Sequence, residues 1–139
     1  MKHNLILRVI AKLLIPIIVL YALYVQFHGD FGPGGGFQAG VIFSVAFILY
    51  ALVYGLETAE RVMPEYVLRI LASLGVLIYA GTGVATMLLG GNFLDYNVLA
   101  SNPIAGQHLG ILVIELGVGI TVSSVMLLIF FTFVRRGRE

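Results

Sequence analysis

Four long stretches of apolar residues, almost free of charged side chains, take up most of the sequence. An α-helix rises about 1.5 Å per residue, so about 20 apolar residues are needed to cross a hydrocarbon core about 30 Å thick. The stretches extend over residues 8–27, 36–56, 70–91 and 109–134. We therefore predict an all-α integral membrane protein, in which a single domain over residues 1–139 contains four transmembrane helices.

Composition favours lipid over water as the solvent of these helices. Hydrophobic residues make up 60% of the chain and charged residues only 11%, whereas soluble domains contain about 45–50% and about 25%. A soluble domain of this size would expose a large apolar area to water. The sequence has no cysteine, which excludes disulfides, thiolate metal ligands and thiol nucleophiles. The run up to Phe27 has no convincing signal-peptide cleavage site, so we expect it to be retained.

The basic residues predict the orientation of the helices. With four crossings, both chain ends and the middle connection, residues 57–69, share one side of the membrane. All eight Lys and Arg residues belong to this side. They are Lys2, Arg8, Lys12, Arg61, Arg69, Arg135, Arg136 and Arg138. By the positive-inside rule this side is cytoplasmic, so we expect a multi-pass protein of the cell membrane with its N-terminus and C-terminus in the cytoplasm.

A cluster of chain-breaking residues separates the first two stretches. Residues 28–37 have the sequence HGDFGPGGGF, which predicts a sharp reversal of the chain. The segment lacks the Lys-Ser/Thr ending of a phosphate-binding loop, so we do not expect nucleotide binding. Gly36, Gly40 and Ser44 then recur at intervals of four residues. Such a stripe lets a neighbouring helix approach closely, either within this chain or in a partner.

Glu115 is the only carboxylate inside one of the predicted spans. An ionised side chain there costs at least a few kcal/mol unless it is paired, hydrated or protonated. Two interpretations follow: a proton or cation relay, or a neutral carboxyl group hydrogen-bonded to an adjacent helix. His108, about 10 Å away along the helix axis, is a weaker candidate for the entry of such a path.

Three further residues are alternatives for an ion or proton pathway. His28 and Asp30 could bind a cation at the outer surface, although such pairs are usually only solvated. Lys12 shares a helix face with Arg8 and is more simply explained as an anchor that extends to the lipid headgroups. No catalytic constellation, metal-ligand spacing or dinucleotide fingerprint is present, so we expect neither an enzyme nor a bound metal, cofactor or nucleic acid.

The glycine-rich segment resembles the signature of the MnhB/MrpB family, whose members are small membrane subunits of multisubunit sodium/proton antiporters. In that family a His-containing turn and Pro-Gly-Gly-Gly-Phe open the second helix. The matching positions here are His28, Pro33, Gly34, Gly35, Gly36 and Phe37, with Gly40 at the following small position. Residues 110–119, GILVIELGVG, resemble the last helix of the family, where many members have Asp at the position of Glu115.

The resemblance implies a companion subunit in an inner-membrane complex. Its partners would be other membrane subunits, the lipid bilayer and the transported Na⁺ and H⁺, with the main ion routes in large subunits similar to those of respiratory complex I. A member of the MnhB/MrpB family would support assembly and line part of a path. The alternatives are the same module in a redox-driven pump such as a membrane-bound hydrogenase, a purely structural scaffold, and a small transporter formed by identical copies.

Overall fold

The computed structural model of the protein describes residues 4–28 and 34–138, which form five α-helices. They are α1 (Leu5–Phe27), α2 (Gly36–Tyr54), α3 (Leu56–Val62), α4 (Glu65–Leu88) and α5 (Pro103–Arg136), with a 3₁₀ turn at Tyr96–Leu99 before α5. This part of the chain contains no strand. All helices except α3 are long and apolar enough to cross a membrane. The prediction of an all-α protein with four helices of membrane-spanning length is therefore confirmed.

The helix ends differ from the predicted spans because capping groups, not apolarity, determine them. The side chain of Asn4 accepts a hydrogen bond from the amide of Leu7 at 3.2 Å, and α1 begins at Leu5 instead of residue 8. The side chain of Asn102 accepts from the amide of Ile104 at 3.0 Å, and α5 begins at Pro103 instead of residue 109. Asparagine at the N-cap, and proline at the first position of α5, are standard helix-start signals. α4 begins directly after Pro64, which makes no side-chain cap.

The short helix α3 lies where the sequence predicted only a connection, residues 57–69. Gly55, with φ of +101°, turns the chain out of α2 in a conformation that favours glycine. Leu56 and Ala59 of α3 are then buried against Leu68, Leu127 and Phe131. The connection therefore packs as part of the bundle.

α5 packs against both α2 and α4, and α1 packs against α2. The spatial order of the long helices is therefore α1, α2, α5, α4. We call the end with α3, Arg8 and Arg135 the basic end, and the opposite end, where α1 stops and α2 begins, the loop end.

Ionic and polar contacts join the helices at the basic end. Arg135 of α5 donates to Glu60 of α3 at 2.8 Å and to Glu65 of α4 at 2.5 Å. The hydroxyl of Tyr54 donates to the carbonyl of Arg8 at 3.0 Å, and the Arg8 guanidinium lies 5.3 Å from the centre of the same ring. On this side α1 is thus joined to α2, and α5 to both α3 and α4.

The outward surfaces of the long helices are apolar. Leu13 on α1, Leu77 on α4 and Phe133 on α5 are 66%, 65% and 68% exposed. A soluble protein of this size rarely leaves so many large apolar side chains in water. Acyl chains or apolar partner helices are suitable neighbours for such surfaces.

Candidate functional site

Glu115 lies at the level where α2 begins. Gly36, the first residue of α2, is buried against its backbone. A Cβ atom on Gly36 would lie 2.8 Å from the carbonyl carbon and 2.9 Å from the Cα of Glu115, and closer still to its carbonyl oxygen. Real Cβ atoms do not approach so closely, so only glycine permits this contact. The backbones of α2 and α5 therefore meet at Glu115, the carboxylate that stood out in the sequence.

The carboxylate of Glu115 lies beside the N-terminus of α2. A Cβ atom on Gly35 would lie 3.5 Å from Oε1 of Glu115, and the side chain is half-buried. Gly35 is the N-cap of α2 and offers no side-chain cap. The first amides of a helix lack carbonyl partners within it and form the positive end of the helix dipole. This position is electrostatically favourable for a negative charge.

The other glycines of the family-like motif bring α1, α2 and α5 together. Gly34 has φ of +149°, and a Cβ there would lie 3.0 Å from Cγ1 of Val25, so both conformation and space favour glycine. A Cβ on Gly40 would lie 2.8 Å from the carbonyl oxygen of Gly119. Phe37 is 64% exposed and takes no part in this packing. Pro33 lies outside the described residues.

Gln26 is a polar residue of this region that the sequence analysis missed. It belongs to α1 and is only 5% exposed. A Cβ atom on Gly119 would lie 2.7 Å from its Oε1, and its Nε2 has no hydrogen-bond partner among the described residues. An amide within the apolar run of residues 13–27 was the available sequence signal. Gln26 lines a crevice of about 140 Å³ with residues of α2 and α5.

The two candidate histidines, His28 and His108, lie toward the loop end, on the surface. His28 caps α1: its Nδ1 is 3.1 Å from the carbonyl oxygen of Tyr24, and its ring stacks on that tyrosine with 4.2 Å between the ring centres. His108 is exposed in the first turns of α5, on the N-terminal side of Glu115. Asp30 lies outside the described residues.

Lys12 does not belong to this site. It is exposed near the basic end and lines a groove with Arg8, Tyr50 and Tyr54. The rise of α1 puts it about 21 Å along the axis from Gln26. Within residues 4–28 and 34–138, no group of three His, Asp or Glu side chains could hold a metal ion.

Three further glycines, on α4 and α5, also pack against other parts of this chain. A Cβ atom on Gly75 of α4 would lie 2.6 Å from the carbonyl oxygen of Gly117, and one on Gly83 would overlap the ring of Phe93. Gly110 of α5 accommodates the ring of Tyr96 in the same way. Burial raises the pKa of this phenol above its ordinary value.

Comparison with known proteins agrees with this architecture. Residues 6–128 match a family described as a domain related to the MnhB subunit of Na⁺/H⁺ antiporter. Proteins named putative antiporter subunit mnhB2 from Staphylococcus aureus strains Newman, JH1 and COL are each 37% identical over 136 residues, covering 95% of this chain and 96% of theirs. The chain therefore belongs to the family of MnhB-related Na⁺/H⁺ antiporter subunits.

Proposed function

We propose that this protein is a small, non-catalytic membrane subunit of a multisubunit Na⁺/H⁺ antiporter and that Glu115 takes part in the movement of protons or Na⁺. The observation that carries the proposal is the position of the Glu115 carboxylate beside the N-terminus of α2, close to its N-cap Gly35. The names of the relatives, which are putative antiporter subunits, support the transport part.

The energetics of Glu115 favour a functional group over a packing residue. A carboxylate among apolar helices costs a few kcal/mol, and evolution usually keeps such a group where it binds or transfers a charge. The N-terminus of α2 lowers this cost for the ionised form. The carboxylate can therefore exist in either protonation state, as a relay requires.

A companion role fits the scarcity of polar groups in the membrane helices. Among the described residues, Glu115 is the only acidic side chain that lies inside a helix of membrane-spanning length and away from its ends. One such group near the loop end does not form a continuous path across about 30 Å of hydrocarbon. Other membrane subunits would supply the rest of the route, as the family resemblance implies.

Deleting the gene for this chain tests whether the chain is a required subunit of an antiporter. In inside-out vesicles from cells that lack it, we expect Na⁺-dependent proton movement to disappear and to return when the intact chain is supplied. In cells that lack the other subunits, expression of this chain alone should produce no Na⁺-dependent proton movement. Flux from the chain alone would instead support a transporter of identical copies, and a cluster-bearing redox subunit that co-purifies with the chain would support the redox-driven pump.

We further propose that the basic end faces the cytoplasm and the loop end the outside. The distribution of Lys and Arg supports this orientation. Because the chain has no cysteine, single cysteines can report it directly. With an impermeant thiol reagent on intact cells, we expect Asn102→Cys to be labelled and Arg61→Cys to be protected until the membrane is opened. The reverse pattern would contradict the orientation.

A further inference from the structure

A crevice between α1, α2 and α5 contains a side-chain amide whose nitrogen has no hydrogen-bond acceptor among the described residues. Small residues leave the space open: Ala22 on α1, Ala39 and Gly40 on α2, and Gly119 on α5. Gln26 lies in this crevice, 5% exposed, and its Nε2 has no acceptor among the described residues. An amide donor that is buried without a partner costs free energy, and the cost is largest in apolar surroundings. The crevice therefore requires an occupant that accepts a hydrogen bond.

The crevice begins within one helical turn of Glu115. Gly119, against which the Gln26 amide packs, follows Glu115 by one helical turn, and Leu116 also lines the space. Ser123 lines the crevice one turn further. Its hydroxyl donates to the carbonyl of Ile120 at 3.1 Å, which leaves the lone pairs of Oγ available. Polar atoms thus recur along α5 from Glu115 toward the basic end, over about 12 Å.

Water can satisfy the polar atoms of this largely apolar space, which an acyl chain cannot do. The volume of about 140 Å³ exceeds that of a single water molecule, for which about 30 Å³ suffices in the liquid. Water can accept from Nε2 of Gln26 and donate to its Oε1 and to Oγ of Ser123, whereas a lipid tail would leave Nε2 unpaired. Buried waters are found where polar groups in a roomy site lack protein partners.

We propose that water occupies the crevice between α1, α2 and α5, held by Gln26 and Ser123, and that it conducts protons between Glu115 and the part of the route that other membrane subunits supply. The inference rests on the proposed function of Glu115. In it Gln26 is a positioning residue: it orders the water and does not itself bind the transported ion. The chain thereby contributes a hydrated segment of about two helical turns in addition to the carboxylate.

Thiol chemistry in the assembled complex tests for this water independently of transport. A thiol reacts with a small charged methanethiosulfonate only where it is accessible and can ionise, which requires water. We expect the thiol introduced by Ser123→Cys to react at least about tenfold faster than that introduced by Ser44→Cys. Ser44 is the matched control because it is a fully buried serine of α2 outside the crevice. Equal, slow reaction at both positions would overturn the proposal and indicate a lipid or partner side chain in the crevice.

Replacement of Gln26 tests its role in ordering the water. We expect Gln26→Met to lower the antiport rate about tenfold, the effect of losing one hydrogen bond in a charged network, and to slow the labelling of Ser123→Cys. The control is Gln38→Met, on the exposed surface of α2, which should change neither. Unchanged labelling and transport in Gln26→Met would overturn the inference. The proposed function would still be decided separately, by the substitution of Glu115 itself.

Discussion

Glu115→Gln is expected to abolish Na⁺-dependent proton exchange by the complex while leaving assembly intact. Glutamine has nearly the shape of glutamate and can keep a hydrogen bond, but it neither ionises nor transfers a proton. Removal of a group that transfers protons typically slows a reaction by about a hundredfold or more. The measurement is the Na⁺-induced change of a pH-sensitive dye in inside-out vesicles, normalised to the amount of assembled complex on a native gel.

Two further variants make this result interpretable. Glu115→Asp keeps the carboxylate but moves it by one carbon from the N-terminus of α2, so we expect reduced activity that remains above that of Glu115→Gln. Glu57→Gln makes the same chemical change on an exposed residue of α3 and should have little effect. Normal transport by Glu115→Gln at the normal pH optimum would leave only the scaffold interpretation.

Gly36→Ala is expected to destabilise the protein through a clash of backbones. The added Cβ would lie within 2.9 Å of three backbone atoms of Glu115, none of which can rotate away. α2 must then move from α5, and overpacking of this kind typically costs about 1–3 kcal/mol. We expect a lower midpoint of thermal unfolding in detergent, less assembled complex, and reduced antiport because the carboxylate moves relative to α2.

Gly81→Ala is the matched control for this prediction. Gly81 lies in α4, is exposed, and has open space where its Cβ would be. Alanine forms helix more readily than glycine by about 1 kcal/mol, so we expect unchanged or slightly higher stability. If Gly81→Ala and Gly36→Ala lower the midpoint equally, the contact between α2 and α5 is not the cause.

The sequence alone was sufficient to predict the four long helices, although not the short helix α3. Apolar runs about 20 residues long have few folded solutions, because backbone groups in hydrocarbon must be paired within each segment. The family-like glycines and Glu115 also stood out, since a dense glycine cluster and a lone carboxylate are unusual beside such runs. The exact starts at Leu5 and Pro103 were predicted less well, because the capping residues Asn4 and Asn102 lie outside the apolar pattern.

What covers each helix face was decided only by the tertiary structure. Periodicity placed Gly36 and Gly40 on one face, but it could not identify Glu115 and Gly119 of α5 as their neighbours. It also gave no reason to distinguish Gln26 from a surface amide, because burial depends on residues that are distant in the sequence. Solvation by lipid acts on each segment separately and is therefore encoded locally, whereas close packing is a property of pairs of segments and exists only once they have assembled.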